Sequence, residues 1–177
     1  TTAEHMSLAP GYVAEARTIS GIDRELAAEW QALAAAAGEP NVFAEPWFVA
    51  SALSCLTEGE TVRLALVRDE GGELAGAMPL VTHGDYGRLP IGHTGNWIHL
   101  QCYCGMPLIR AGAESGFWAA LLGLLDRSDW SGGLLSMRML YADGPVMRGL
   151  ERAAKATGRQ MHVAQQYERA VLASEAS

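Results

Sequence analysis

A β-hairpin near the middle of the chain constrains the fold more than any other feature. Along residues 62–68 the side chains alternate between two faces, one more apolar than the other. Residues 74–81 also have the pattern of a strand. Between them, residues 69–73 include two glycines, as a tight turn between antiparallel strands requires. Pro79 cannot donate a ladder hydrogen bond, which predicts a bulge or an edge at that point. The chain must therefore build a sheet around this antiparallel pair.

The remaining patterns place helices and further strands around the hairpin. Apolar residues at helical spacing, such as Ile22, Leu26, Trp30 and Leu33, predict a helix over 22–37. We predict further helices over 46–56, 113–127 and 145–157, and strands over 12–19, 97–104 with a continuation at 106–109, 134–141 and 161–167. Residues 82–96 are predicted to be a long loop with a short strand at 86–91. This order predicts one α/β domain with a central mixed, mostly antiparallel sheet flanked by helices on both faces.

The length, charge and composition of the chain limit the kinds of partner that it can have. The chain has 177 residues and a formal net charge of -7, and its 13 basic residues are scattered, so we expect no nucleic-acid partner. The longest apolar run, 117–125, is too short to cross a bilayer, and the first residues do not resemble a signal peptide. Three cysteines suggest reduced thiols. We therefore expect a cytoplasmic protein without a membrane partner.

One domain is expected over residues 11–170. Residues 1–10, which include His5 and Met6, are interpreted as a tag remnant or a disordered N-terminus. Residues 171–177 are polar and are expected to fray.

The segment 92–109 concentrates the side chains that can do chemistry. His99, Cys102 and Cys104, with His93 upstream, suggest a metal site or a thiol–imidazole pair. A structural zinc site normally needs a second pair of ligands, and strand alternation would direct His99 away from both cysteines. We therefore predict no metal and treat the cysteines as packing residues, with a zinc-stabilised module as the least favoured alternative.

Aromatic residues and one turn are the other candidates. Trp97 and Tyr103 lie next to the glycine-rich loop, and pocket lining and core filling are equally plausible roles for them. The turn at 110–116 lies between a strand and a helix and could offer backbone amides to an anion, although a simple helix cap is the more common role of such a turn.

Several short motifs occur in a fixed order along the chain: Asn-Val-Phe-Ala-Glu-Pro-Trp-Phe at 41–48, Leu-Ala-Gly-Ala-Met-Pro-Leu at 74–80, Trp-Ile-His at 97–99, Gly-Met-Pro-Leu-Ile at 105–109, Trp130, and Asp-Gly-Pro at 143–145. Their order and spacing resemble the N-terminal half of a double-domain GNAT-type acyltransferase. The branch is that of cellulose-biosynthesis-type acetyltransferases, with Fem-type aminoacyl transferases as more distant relatives. The resemblance implies a GNAT-like fold and an acyl-CoA-dependent N- or O-acyltransferase module that uses acetyl-CoA or another acyl-CoA. A small-molecule acyl acceptor, and a second GNAT-like domain or a second copy of the chain, are the partners it implies.

The resemblance also suggests site residues. His99 and Tyr141 are the catalytic candidates, and Trp97, Tyr103 and Asn96 are the candidates for binding the acceptor. Arg110, Gly112 and Ser115 are the candidates for holding the cofactor, on the turn where the family has its pyrophosphate loop.

The turn departs from the family pattern at two positions. Arg110 stands two residues before Gly112 where the family has three, and Glu114 occupies a position that is small in the family. A carboxylate there would repel a pyrophosphate. Two hypotheses remain open: an active acyltransferase module, or a catalytically silent GNAT-like domain that binds a substrate or a partner domain.

Overall fold

The computed structural model describes residues 11–168, so the interpretations of residues 1–10 and 171–177 lie outside it. In chain order the elements are β1 Tyr12–Thr18, α1 Arg24–Ala35, a 3-10 turn Val42–Ala44, α2 Pro46–Cys55, β2 Arg63–Asp69, β3 Leu74–His83, β4 His93–Asn96, β5 Leu108–Ile109, α3 Glu114–Arg127, β6 Leu134–Ser136 and α4 Pro145–Ala156. Within this range no helix is both long and apolar enough to span a membrane.

The predicted hairpin is the centre of a six-stranded sheet. The strands lie in the order β1-β2-β3-β4-β6, and β5 also pairs with β3. The β4–β6 pair is parallel and the other pairs are antiparallel, so the predicted mixed, mostly antiparallel sheet is confirmed. The helix α3 makes the crossover that a parallel pair needs.

Pro79 lies where β3 changes neighbours. β5 pairs with Gly76 and Ala77, β4 pairs with β3 from Leu80 onward, and the Pro79 carbonyl accepts a hydrogen bond from the amide of Trp97. The N–H and C=O of a strand residue point to the same side of the strand. The donor that Pro79 lacks would therefore face the space between β5 and β4, where β3 changes neighbours. The register shift itself lies at Val67–Arg68, beside the turn, and not at Pro79.

Helices cover both faces of the sheet, as predicted. Alternate residues of β2 divide between the two cores: Leu64 and Leu66 face α1 and α2, whereas Ala65 and Val67 face α3 and α4. One fully buried tryptophan lies in each core, Trp30 on the first face and Trp118 on the second. The result is a three-layer α/β arrangement with its cores on either side of the hairpin.

Side chains set the ends of two helices. Asp23 accepts the amide of Leu26 at 2.9 Å, so α1 begins at Arg24 and not at residue 22. At α4 the cap comes from a distant residue, because a carboxylate oxygen of Glu39 accepts the amide of Val146 at 2.7 Å. Sequence spacing cannot predict a cap that comes from another part of the fold.

Four predicted strands differ from the structure. Residues 97–104 do not form a strand, and residues 161–167 are exposed and join no ladder with other described residues. Tyr86 and Leu89 form a tight turn closed by two backbone hydrogen bonds, in place of a strand over 86–91. The strand predicted over 134–141 ends at Ser136, and the predicted loop contains both the end of β3 and all of β4.

Candidate functional site

The loop at residues 97–107, between β4 and β5, contains most of the predicted site. The Asn96 side chain determines where β4 ends: its Nδ2 donates to the carbonyls of Gly105 and Arg138, at 2.9 and 2.8 Å, and its Oδ1 accepts the amide of Arg138 at 3.0 Å. These bonds hold the two ends of the loop together, so the intervening residues leave the sheet. Asn96, predicted to bind the acceptor, is buried and supports the loop.

A second asparagine closes the loop from the other side. Asn41 Nδ2 donates to the carbonyl of Met106 at 2.6 Å and to that of Cys104 at 3.2 Å, and its Oδ1 accepts the amide of Phe43. The loop is thereby attached to the turn that precedes α2. A small cleft remains between them, with a volume of about 30 Å³, which is room for a water molecule or two.

Five rings form a continuous aromatic surface beside this cleft, and we call Phe43, Trp47, Phe48, His99 and Tyr103 the aromatic surface. Successive ring centres lie 5.2 Å (43–48), 5.9 Å (43–103), 5.7 Å (47–48) and 5.8 Å (48–99) apart. Trp47 and Tyr103 are more than half exposed, at 54% and 62%. Exposed Trp and Tyr side chains that rest on further aromatic rings are typical of binding surfaces.

His99 lies at the inner edge of the aromatic surface. Its ring stacks on Phe48 and lies 5.0 Å from the ring of Trp97. Burial lowers the pKa of His99 below its ordinary value, and the nearby side chain of Gln101 offsets part of this effect. Its Nδ1 is buried without a hydrogen-bond partner among the described residues. At neutral pH the ring is therefore an uncharged imidazole, the form in which histidine can act as a base.

The other predicted acceptor-side residues divide between core and surface. Trp97 is buried in the α1–α2 core, and its indole donates to Glu60 at 3.0 Å. Tyr103 belongs to the aromatic surface. Tyr141 is 54% exposed, and its backbone amide contacts the sulfur of Met106, which lines the cleft. The structure therefore brings Tyr103 and His99 onto one surface, and the backbone of Tyr141 contacts the same loop at Met106.

The cysteines of the loop are packing residues. Both are buried, and the Cys102 thiol donates to the carbonyl of Cys104 at 3.3 Å. Burial raises the pKa of Cys102, which keeps its thiol protonated and unreactive. The alternation that was expected to separate His99 from these cysteines does not exist, because the segment is not a strand. No group of three or more potential metal ligands occurs between residues 11 and 168.

The predicted cofactor residues lie on the turn 110–115, which we call the anion turn. Each of them already has a partner within the protein. Arg110 pairs with Asp69 and, at 3.1 Å, with Glu73; Ser115 accepts a hydrogen bond from Arg152 at 2.8 Å. The hydrogen bond to Arg110 holds the pKa of Asp69 below its ordinary value. Gly112 has the positive φ of 86° that a turn of this kind requires.

Glu114 occupies the anion turn itself. Its carboxylate is buried, and one of its oxygens accepts the amide of Gly112 at 3.1 Å. This amide is one of those that could otherwise bind an anion at the turn. The sequence identified Glu114 as a departure from the family pattern, but it did not predict that the side chain would turn back onto the loop.

The anion turn and the start of the loop at 97–107 lie apart along β3. The amide of Arg110 meets β3 at Ala75, whereas that of Trp97 meets it at Pro79. At roughly 3.3 Å per strand residue, the two points are about 13 Å apart.

The sequence did not identify Asn41, Phe48 and Glu60 as site residues. The first two lie in the 41–48 motif, which was the available signal.

No protein-family model matches the chain, and no curated protein sequence matches it either. The resemblance to GNAT-type acyltransferases therefore depends on the short motifs between residues 41 and 145.

Proposed function

We propose that this chain is a catalytically silent, GNAT-like acyltransferase domain that binds an acyl acceptor or a partner domain at its aromatic surface and does not itself hold acyl-CoA. The observation that carries the proposal is the hydrogen bond between Glu114 and Gly112, at 3.1 Å. A pyrophosphate bound at the anion turn would have to compete with this carboxylate for the Gly112 amide.

Charge strengthens this argument. Two like charges about 4 Å apart repel by roughly 4 kcal/mol at the effective dielectric constant of a protein surface. Glu114 would impose such a repulsion on a bound pyrophosphate. Arg110, the cation expected to offset it, is already paired with Asp69 and Glu73. The anion turn is therefore poorly suited to a polyanionic cofactor.

The aromatic surface supports the binding part of the proposal. It combines exposed rings with two asparagine-anchored segments, so its shape is fixed before a ligand arrives. Trp47 and Tyr103 supply apolar area together with polar tips, a combination that is enriched at recognition sites. The cleft beside them is too small for more than water, so a ligand would lie across the surface.

The decisive experiment measures the melting temperature (Tm) of the chain with acetyl-CoA. A ligand at 100 times its Kd stabilises a folded protein by about 2.7 kcal/mol, which for a domain of this size raises Tm by about 5–10 °C. We expect no saturable rise up to millimolar acetyl-CoA. The Arg110→Ala variant is the matched control. If acetyl-CoA raised the Tm of the native chain but not that of this variant, the cofactor would bind at the anion turn and the proposal would be overturned.

An active acyltransferase module is the second candidate, and the state of His99 favours it. An uncharged imidazole at the edge of the aromatic surface is in the form that can accept a proton from an acceptor amine or hydroxyl. The test is an assay of acetyl transfer to a panel of amines and alcohols, in which the release of free CoA thiol is measured. In an active module, His99→Ala should lower turnover by about 10²–10⁴-fold, and unchanged turnover would remove His99 from the mechanism.

A further inference from the structure

Two histidines face each other at one end of the sheet. His83 ends β3 and His93 begins β4, and the antiparallel register places them directly opposite each other. Their ring centres are 5.0 Å apart and their planes are tilted by 31°. Neither belongs to the aromatic surface or to the anion turn.

The spacing of the rings suits a shared metal ion. Late first-row ions bind imidazole nitrogen at about 2.0–2.1 Å, and the ring centre lies about 1.1 Å farther out. Two rings that share an ion at nitrogen–metal–nitrogen angles of about 90–110° therefore have centres about 4.5–5.2 Å apart. The observed 5.0 Å falls inside this range.

His93 also has a buried polar atom that the fold itself does not satisfy. Its Nδ1 has no hydrogen-bond partner among the described residues, and the ring of Tyr86 packs edge-on against the imidazole at 5.3 Å. Buried polar atoms without a protein partner are uncommon in folded proteins, and a bound ion or water molecule is one explanation for them. This observation is independent of the ring spacing.

The backbone holds the pair in place. His93 pairs with His83 on one side and, in the parallel ladder, with Leu134 on the other. Because the ladders hold the backbone at both residues, little backbone freedom is lost when the pair binds an ion, and the second imidazole binds at a high effective concentration.

We propose that His83 and His93 form a binding site for a late first-row transition ion, such as Zn²⁺, Ni²⁺ or Cu²⁺. Imidazole nitrogen is a preferred ligand of these ions. Since residues 11–168 provide no group of three ligands, water or an exchangeable ligand completes the coordination. The bound ion ties the end of β3 to the start of β4 and so clamps the loop between them.

The test uses all five histidines of the chain. Each is replaced by glutamine in turn, and the Kd of Zn²⁺ and of Ni²⁺ is measured by isothermal titration calorimetry. We expect His83→Gln and His93→Gln each to raise Kd by about tenfold or more, because each removes one arm of a chelate. His5→Gln and His162→Gln are the controls and should leave Kd unchanged.

Electron paramagnetic resonance of the native chain with one equivalent of Cu²⁺ provides a readout that does not depend on the folding of any variant. Hyperfine splitting from two nitrogens is expected. Splitting from one nitrogen, an unchanged Kd in His83→Gln, or the absence of saturable binding would each overturn the proposal. A loss of binding only in His99→Gln would overturn it too, because the ion would then lie at the loop beside Cys102.

Discussion

Replacing Asn96 by alanine tests whether this side chain holds the loop at 97–107. The substitution removes three hydrogen bonds and leaves three backbone groups, the carbonyls of Gly105 and Arg138 and the amide of Arg138, without their partner. A hydrogen bond contributes about 1 kcal/mol net, and a buried group left unsatisfied costs about 1–3 kcal/mol. We therefore expect Asn96→Ala to lower the free energy of unfolding by about 3–5 kcal/mol.

Urea unfolding followed by tryptophan fluorescence and by circular dichroism measures this loss. The corresponding fall in Tm is about 8–15 °C for a domain of this size. Ser54→Ala is the control, since it removes an exposed hydrogen bond to the carbonyl of Ser51 and should cost less than about 0.5 kcal/mol. If Asn96→Ala costs less than about 1 kcal/mol, the loop does not depend on Asn96.

Three further substitutions follow from single contacts. Gly76→Ala would place a Cβ 2.3 Å from the ring of Phe117, so we expect a loss of about 1–3 kcal/mol in the same urea assay, and full stability would mean that the core can absorb the methyl group. Glu60→Ala removes the partner of the Trp97 indole and should cost about 1 kcal/mol, with a red-shifted fluorescence; an unchanged spectrum would show that the bond is dispensable. Burial lowers the pKa of His99, so the unfolded state binds a proton that the folded state does not, and stability falls as pH drops below about 6.5. His99→Gln should lose less stability than the native chain between pH 8 and pH 5.5, and equal losses would contradict this reasoning.

The hairpin and the helices were predictable because their patterns are local. Side chains alternate along β2 in step with two apolar cores, and the glycines of the turn match the reversal of the chain. Pro46 begins α2 as its fixed φ predicts. In these segments the local preference of the sequence and the packing of the fold agree, which is the condition under which pattern reading succeeds.

The loop at 97–107 was not predictable, for a physical reason. Its residues alternate like a strand, but Asn96 and Asn41 donate to its carbonyls at Cys104, Gly105 and Met106, which ladder partners would otherwise bind. An asparagine that bonds to a carbonyl many residues away leaves no periodic signal. The faces predicted for His99 and Cys102 were therefore wrong, because they depended on a strand that the chain does not form.

Glu114 makes another contact that no periodic pattern predicts, at the anion turn, and its packing bears directly on the proposed function. A Cβ at Gly38 would lie 2.8 Å from its carboxylate, and a Cβ at Gly149 would lie 2.6 Å from its own Cβ. Two glycines from distant segments thus leave the space that this side chain fills, and a rotation that freed the Gly112 amide would have to displace a buried group. The carboxylate is therefore a built part of the fold rather than a tolerated surface change. If acetyl-CoA nevertheless bound at this turn, it would have to do so against that packing, and the Arg110→Ala control would reveal it.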